Sequence, residues 1–83
     1  MRGNKKRNWI IEARKSKKYS QRKLAKLLYM SQPTINAYEH GSRSPQLPTI
    51  IKIANALDVD INIALQAELE LQEPTKIKTD KND

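Results

Sequence analysis

Two serines eleven positions apart, Ser20 and Ser31, each stand just before a short segment with helical apolar spacing, and Gly41 closes the second segment. A serine hydroxyl accepts a hydrogen bond from a free amide in a helix's first turn, so both serines are expected N-caps. After Ser20, the residues Leu24, Ala25, Leu27 and Leu28 are spaced to face a core, while Gln21, Arg22, Lys23 and Lys26 stay in solvent. After a short turn at Tyr29-Met30, Gln32-Pro33 opens the next helix. Proline is tolerated there because its missing amide hydrogen would be unpaired in a first turn. Ile35 and Tyr38 share the inward face, and Gln32, Pro33, Asn36, Ala37 and His40 fall on the other. Gly41 is placed to take the positive φ that ends a helix.

The flanks are read the same way. Asn8 to Lys17 is predicted as a helix with Trp9, Ile10, Ala13 and Ile11 supplying its apolar face. A loop from Ser42 to Gln46 leads to a helix over Leu47–Leu57, with Leu47, Ile50, Ile51, Ala54 and Leu57 inward. Beyond Asp58 the period changes to two: Val59, Ile61, Ile63, Leu65, Ala67, Leu69 and Leu71 alternate with mostly polar residues. This favours a strand over about 60–65, continuing more weakly to Leu71. A helix capped by Asp60 is the alternative, with its apolar positions scattered around the cylinder. The expected organisation is a basic arm over residues 1–7, one domain over 8–71 and a polar disordered tail over 72–83.

A chain of 83 residues makes one small domain. Such a domain buries only about 60% of its unfolded surface and often gains stability by dimerising. The absence of cysteine excludes a disulfide framework and thiol chemistry, and fits a cytoplasmic location. No apolar run approaches the roughly 18 residues of a membrane span, so no membrane association is expected. The net charge of +7 is uneven: eleven of the sixteen Lys and Arg residues lie in positions 2–26, while most acids lie from Asp58 onward. A basic half of this kind suits a polyanion-binding surface, although a solvated basic face would look the same.

Two helices joined by a turn of about three residues form a helix-turn-helix layout. The outward face of the second is uncharged and hydrogen-bonding, which suits base edges, and the basic residues lie around it rather than on it. That division follows the rule that phosphate contacts position and base contacts specify. In this order and spacing, the residues resemble a known family. Ser20-Gln21 with Leu24-Ala25, Ser31-Gln32-Pro33-Thr34-Ile35, Glu39-His40-Gly41 with Pro45, and Ile50, Ile53-Ala54 with Leu57 resemble the phage repressor and Cro (XRE-type) helix-turn-helix domains. The resemblance spans Ile10 to Leu65.

It implies a mainly α, lambda-repressor-like bundle of four or five helices that inserts its third helix into the major groove of double-stranded DNA, usually as a dimer on a near-palindrome. The strand expected after Asp58 departs from the many relatives with a fifth helix there, although some antitoxin-type relatives pair a short C-terminal strand across the dimer axis. By position, Gln32, Pro33, Asn36 and Ala37 would face bases. Gln21 would meet a phosphate, and Ser31, Thr34 and Arg43 would touch the sugar-phosphate backbone. Arg14 and Glu39 match a family pair that forms a partly buried structural salt bridge. Lys5 and Arg7 would belong to an arm that follows or enters the minor groove. Tyr29 stands where the family usually has glycine, so either Tyr29 is strained or the turn differs. Pro33 replaces a common side-chain donor and could contact a base only by van der Waals approach.

The expected homodimer interface is the strand at Val59, Ile61, Ile63 and Leu65, because an unpaired apolar edge invites aggregation. Trp9 and Tyr38 are expected in the core, and His40 has no second His or Cys with which to hold a metal. No catalytic constellation, metal site or cofactor-binding motif is present in the sequence. The function expected is a sequence-specific repressor acting as a homodimer on a palindromic operator. The alternatives are an antitoxin, with Gln66 to Glu73 docking a toxin protein, and a coating protein that binds nucleic acid through charge alone.

Overall fold

The computed structural model describes residues 6–71. They form α1 (Asn8–Ser16), α2 (Gln21–Leu27), α3 (Gln32–His40), α4 (Leu47–Ala56) and α5 (Ile61–Leu71). Ser20 Oγ accepts from Lys23 N at 2.9 Å, and Ser31 Oγ accepts from Thr34 N at 3.3 Å, so both serines cap as their positions predict. Gly41 has φ 84°, the left-handed conformation expected at the end of α3.

The ends of α1, α2 and α4 use the same device without glycine. Lys18, Tyr29 and Asp58 follow α1, α2 and α4 with φ of 61°, 57° and 57°. In each case the next amide reaches back to close the last turn: Tyr19 N to Arg14 O at 3.0 Å, Met30 N to Ala25 O at 2.9 Å, and Val59 N to Ala54 O at 2.8 Å. This is the Schellman arrangement, in which a left-handed residue lets two amides fill orphan carbonyls. The residue after each left-handed position, Tyr19, Met30 or Val59, is apolar and packs on the core.

That core is built from Ile10, Leu24, Ala25, Leu28, Ile35, Tyr38, Ile53 and Leu57. Ala25 is 3% exposed, small enough for α2 and α3 to cross closely. A second cluster joins Ile50 and Ala54 of α4 to Ala64 of α5. The inward stripe of α4 differs from expectation: Ile53 is fully buried, whereas Leu47 and Ile51 are exposed. Leu27 of α2 is likewise exposed, because its neighbours Leu24 and Leu28 already span the contact with the core.

The segment after Asp58 is a helix and not the expected strand, so it cannot pair as a strand across a dimer axis. Asp60 Oδ1 accepts from Asn62 N at 2.7 Å and its carbonyl accepts from Ala64 N at 3.0 Å, which starts α5. A strand here would need a partner for every second backbone group, while a helix fills its own and buries Ala64 against Ile50 and Ala54. Ile61, Ala64, Leu65, Glu68 and Leu71 form its inward stripe, and Ile63 and Leu69 remain exposed. Among the described residues there is no strand and no helix long and apolar enough to cross a membrane. The tail at 72–83 and the start of the arm lie outside the described residues.

Candidate nucleic-acid interface

The Ser31 cap leaves the first turn of α3 facing solvent. Ser31, Gln32, Pro33 and Asn36 are exposed, and Thr34 and Ala37 are half-buried at the edges of the same face. Gln21, at the start of α2, lies beside them and lines a shallow depression with Gln32, Pro33 and Asn36. Six of the residues singled out for bases and backbone therefore share one surface, with Gln21 at its margin. Ser31 Oγ and Thr34 Oγ1 are 2.8 Å apart, so the two hydroxyls are mutually oriented.

This face is wired before any ligand arrives. Gln21 Nε2 donates to Asn36 Oδ1 at 3.1 Å and to Glu39 Oε1 at 3.0 Å, and Gln21 Oε1 accepts from Gln32 Nε2 at 3.5 Å. With Oδ1 engaged, Asn36 presents its amide N–H groups outward, as a donor to base acceptors such as guanine O6 or N7. Gln32 keeps a free carbonyl and one amide hydrogen, the pair that adenine requires. The Gln21 side chain thus turns to α3 rather than outward, and a phosphate would meet it only after one of these bonds yields.

The wiring is anchored in the interior. Arg14 Nε donates to Glu39 Oε2 at 2.7 Å and Nη2 donates to Glu39 Oε1 at 3.2 Å, a bidentate pair tying α1 to α3. Arg14 also donates to Tyr19 O at 2.8 Å. Glu39 is 2% exposed, and a carboxylate so buried requires such partners. Arg43, in the loop after α3, is exposed and lies over the Tyr38 ring at 5.9 Å from its centroid. Arg22, Lys23 and Lys26 of α2 are exposed cations, with Lys23 over the Tyr19 ring. Lys17 pairs with Asp58, whose hydrogen bond and charge hold the lysine above its ordinary range. This solvent-exposed pair joins the ends of α1 and α4, and on the lysine side its contribution is lost as pH rises through that raised value.

Arg7 departs from its expected role. Rather than lying in a free arm it is 5% exposed, with its guanidinium bonded to Glu68, Tyr38 O and Arg43 O. Burial wins because these acceptors replace the water it loses. Lys5 lies outside the described residues. Glu68, which also accepts from Trp9 Nε1 at 2.8 Å, escaped sequence reasoning altogether, since it sits among polar alternations that look solvated. Val59, Ile61, Ile63 and Leu65 fall at the α4–α5 junction and along α5; of these Ile63 faces solvent and the others are half-buried.

Comparison with known proteins agrees with this geometry. The helix-turn-helix family model matches residues 10–63. The chain is 42% identical over 59 residues to the uncharacterized HTH-type transcriptional regulator YqaE of Bacillus subtilis (strain 168), covering 71% of this chain and 51% of that protein. The chain therefore spans about half the length of this relative. The fold is similar to the crystal structure of the restriction-modification controller protein C.AhdI from Aeromonas hydrophila, with a TM-score of 0.65 and 31% identity over 70% of this chain and 88% of that one.

Proposed function

Because the chain belongs to the XRE-type helix-turn-helix family of DNA-binding transcriptional regulators, we propose that it is a sequence-specific repressor that reads duplex DNA with α3 and binds its operator as a homodimer. The observation that carries this reading is the prewired face of Gln21, Gln32 and Asn36, exposed at the start of α3 and anchored through Glu39 to Arg14. Gln32 and Asn36 meet base edges, with Pro33 and Ala37 supplying apolar contact to a thymine methyl. Ser31, Thr34 and Arg43 meet the sugar-phosphate backbone, and the cations of α2 add affinity without sequence preference. The names of the relatives, a transcriptional regulator and a controller protein, support regulation rather than coating. Repression needs only occupancy of the operator.

Dimerisation is carried by α5 and α4 rather than by a strand. Leu47 and Ile51 of α4 and Ile63 and Leu69 of α5 are all exposed apolar residues. A second copy would cover them and set two half-sites about 34–36 Å apart on a palindrome. An antitoxin that docks a toxin protein through Gln66 to Glu73 is the rival reading, and co-purification of an equimolar partner would favour it.

Selection of bound duplexes from a random pool tests the main reading. The expected result is a two-fold symmetric consensus bound at least about 10³-fold more tightly than random duplex. If random duplexes compete as well as selected ones, α3 does not read sequence.

A further inference from the structure

The end of α3 leaves carbonyls that the helix cannot fill by itself. Arg7 fills one of them and reinforces another: its backbone N–H donates to Glu39 O at 2.8 Å, and Nη1 donates at 3.0 Å to Tyr38 O, which Gly41 N also reaches at 3.2 Å. Nη1 also donates to Arg43 O at 3.1 Å. One guanidinium therefore bridges the last turn of the reading helix to the loop that carries Arg43, and its charge sits at the negative end of the helix dipole. What holds that guanidinium is Glu68 of α5. Its carboxylate takes Nε at 2.8 Å and Nη2 at 3.1 Å, and takes Trp9 Nε1 at 2.8 Å. The Arg7 and Glu68 side chains are only 6% and 12% exposed, so solvent screens the pair little. A planar guanidinium clamped along one edge can aim Nη1 in one direction only.

We propose that Glu68 is a positioning residue for DNA binding: by clamping Arg7 it fixes the backbone at Arg43 against the end of α3, and so places the Arg43 guanidinium at its phosphate. The inference rests on the phosphate role proposed above for Arg43. Tyr38 supports the same placement twice, since its carbonyl accepts from Arg7 and its ring underlies Arg43. The link joins α5 to the reading helix, a connection the helix-turn-helix unit does not contain.

The test compares the full chain with Arg43→Ala, Glu68→Gln and the double variant, all binding the selected operator over a range of salt. Measurements are made at a temperature where circular dichroism shows each protein folded. Arg43→Ala is expected to lower the slope of log affinity against log salt by about one per protomer. In Glu68→Gln the side-chain amide opposes an N–H of Arg7, so the clamp loosens; the slope is expected to fall by a similar amount and low-salt affinity to drop several-fold. The double variant is expected to fall no further than Arg43→Ala alone. Generic electrostatics predicts the opposite sign, because removing a negative charge strengthens DNA binding. A lowered melting temperature with a wild-type slope in Glu68→Gln, or losses that add in the double variant, overturns the proposal. A wild-type slope in Arg43→Ala overturns the phosphate role of Arg43 itself, a failure of the underlying reading visible before Glu68 is touched. If Glu68→Gln does not fold, Arg7→Lys carries the same test, since an ammonium cannot span Glu68 and both carbonyls. A shift in the fluorescence of Trp9, the chain's one tryptophan, reports that the clamp has opened.

Discussion

Gln32 and Glu39 sit seven positions apart on one helix yet do opposite work. Gln32 is exposed and its hydrogen bond to Gln21 is long at 3.5 Å, so truncation should leave the fold intact. Gln32→Ala is expected to weaken operator binding by about 1–3 kcal/mol and to relax preference at one base position. A selected consensus identical to wild type would remove Gln32 from the reading surface. Glu39 is buried, and Glu39→Ala strands the Arg14 guanidinium with only Tyr19 O. A loss of about 3 kcal/mol in a denaturant melt is expected. The same substitution removes the Gln21–Glu39 bond that anchors the reading face, so base preference should blur as well as stability fall. The Arg14–Glu39 pairing was legible through the family resemblance. The burial of Arg7 was not, because a basic run at a chain's start gives no local sign of the distant Glu68 that draws one member inward.

Among the elements, the helix ends show what a local pattern can and cannot carry. Gly41 announces its left-handed φ because glycine meets no steric penalty there. Lys18, Tyr29 and Asp58 adopt the same conformation without that signal, since the Schellman bonds and the packing of Tyr19, Met30 and Val59 outweigh the strain. At Tyr29 the turn keeps its geometry and the tyrosine takes the strain. Tyr29 is 97% exposed and contributes no packing, so Tyr29→Gly is expected to stabilise the protein by about 0.5–1 kcal/mol, the left-handed penalty less the extra entropy of an unfolded glycine. A lower melting temperature for Tyr29→Gly would show that the tyrosine makes a compensating contact. In α5 the alternation of apolar residues points to a strand, and the Asp60 cap to a helix. Periodicity misleads because the alternating set is at most half-buried, and the residue in the core, Ala64, is not one of that set, while Ile63 and Leu69 are exposed.

At the scale of the whole molecule, α5 serves three surfaces: it covers α4 with Ala64, holds Arg7 with Glu68, and leaves Ile63 and Leu69, 61% and 63% exposed, without cover. Ile63→Glu is expected to keep the helical content and shift the protein from dimer to monomer in sedimentation, with a loss of operator affinity. A dimer that survives this change would exclude Ile63 from the proposed interface. The helix-turn-helix unit, its two serine caps, its glycine stop and the outward face of α3 could all be read from the chain alone, because each depends on contacts within a turn or two. The helical state of residues 61–71, the inward turn of Gln21 and the burial of Arg7 emerged only from packing in three dimensions. Those outcomes depend on groups brought together from up to 61 positions away, and no local pattern encodes which partner will arrive.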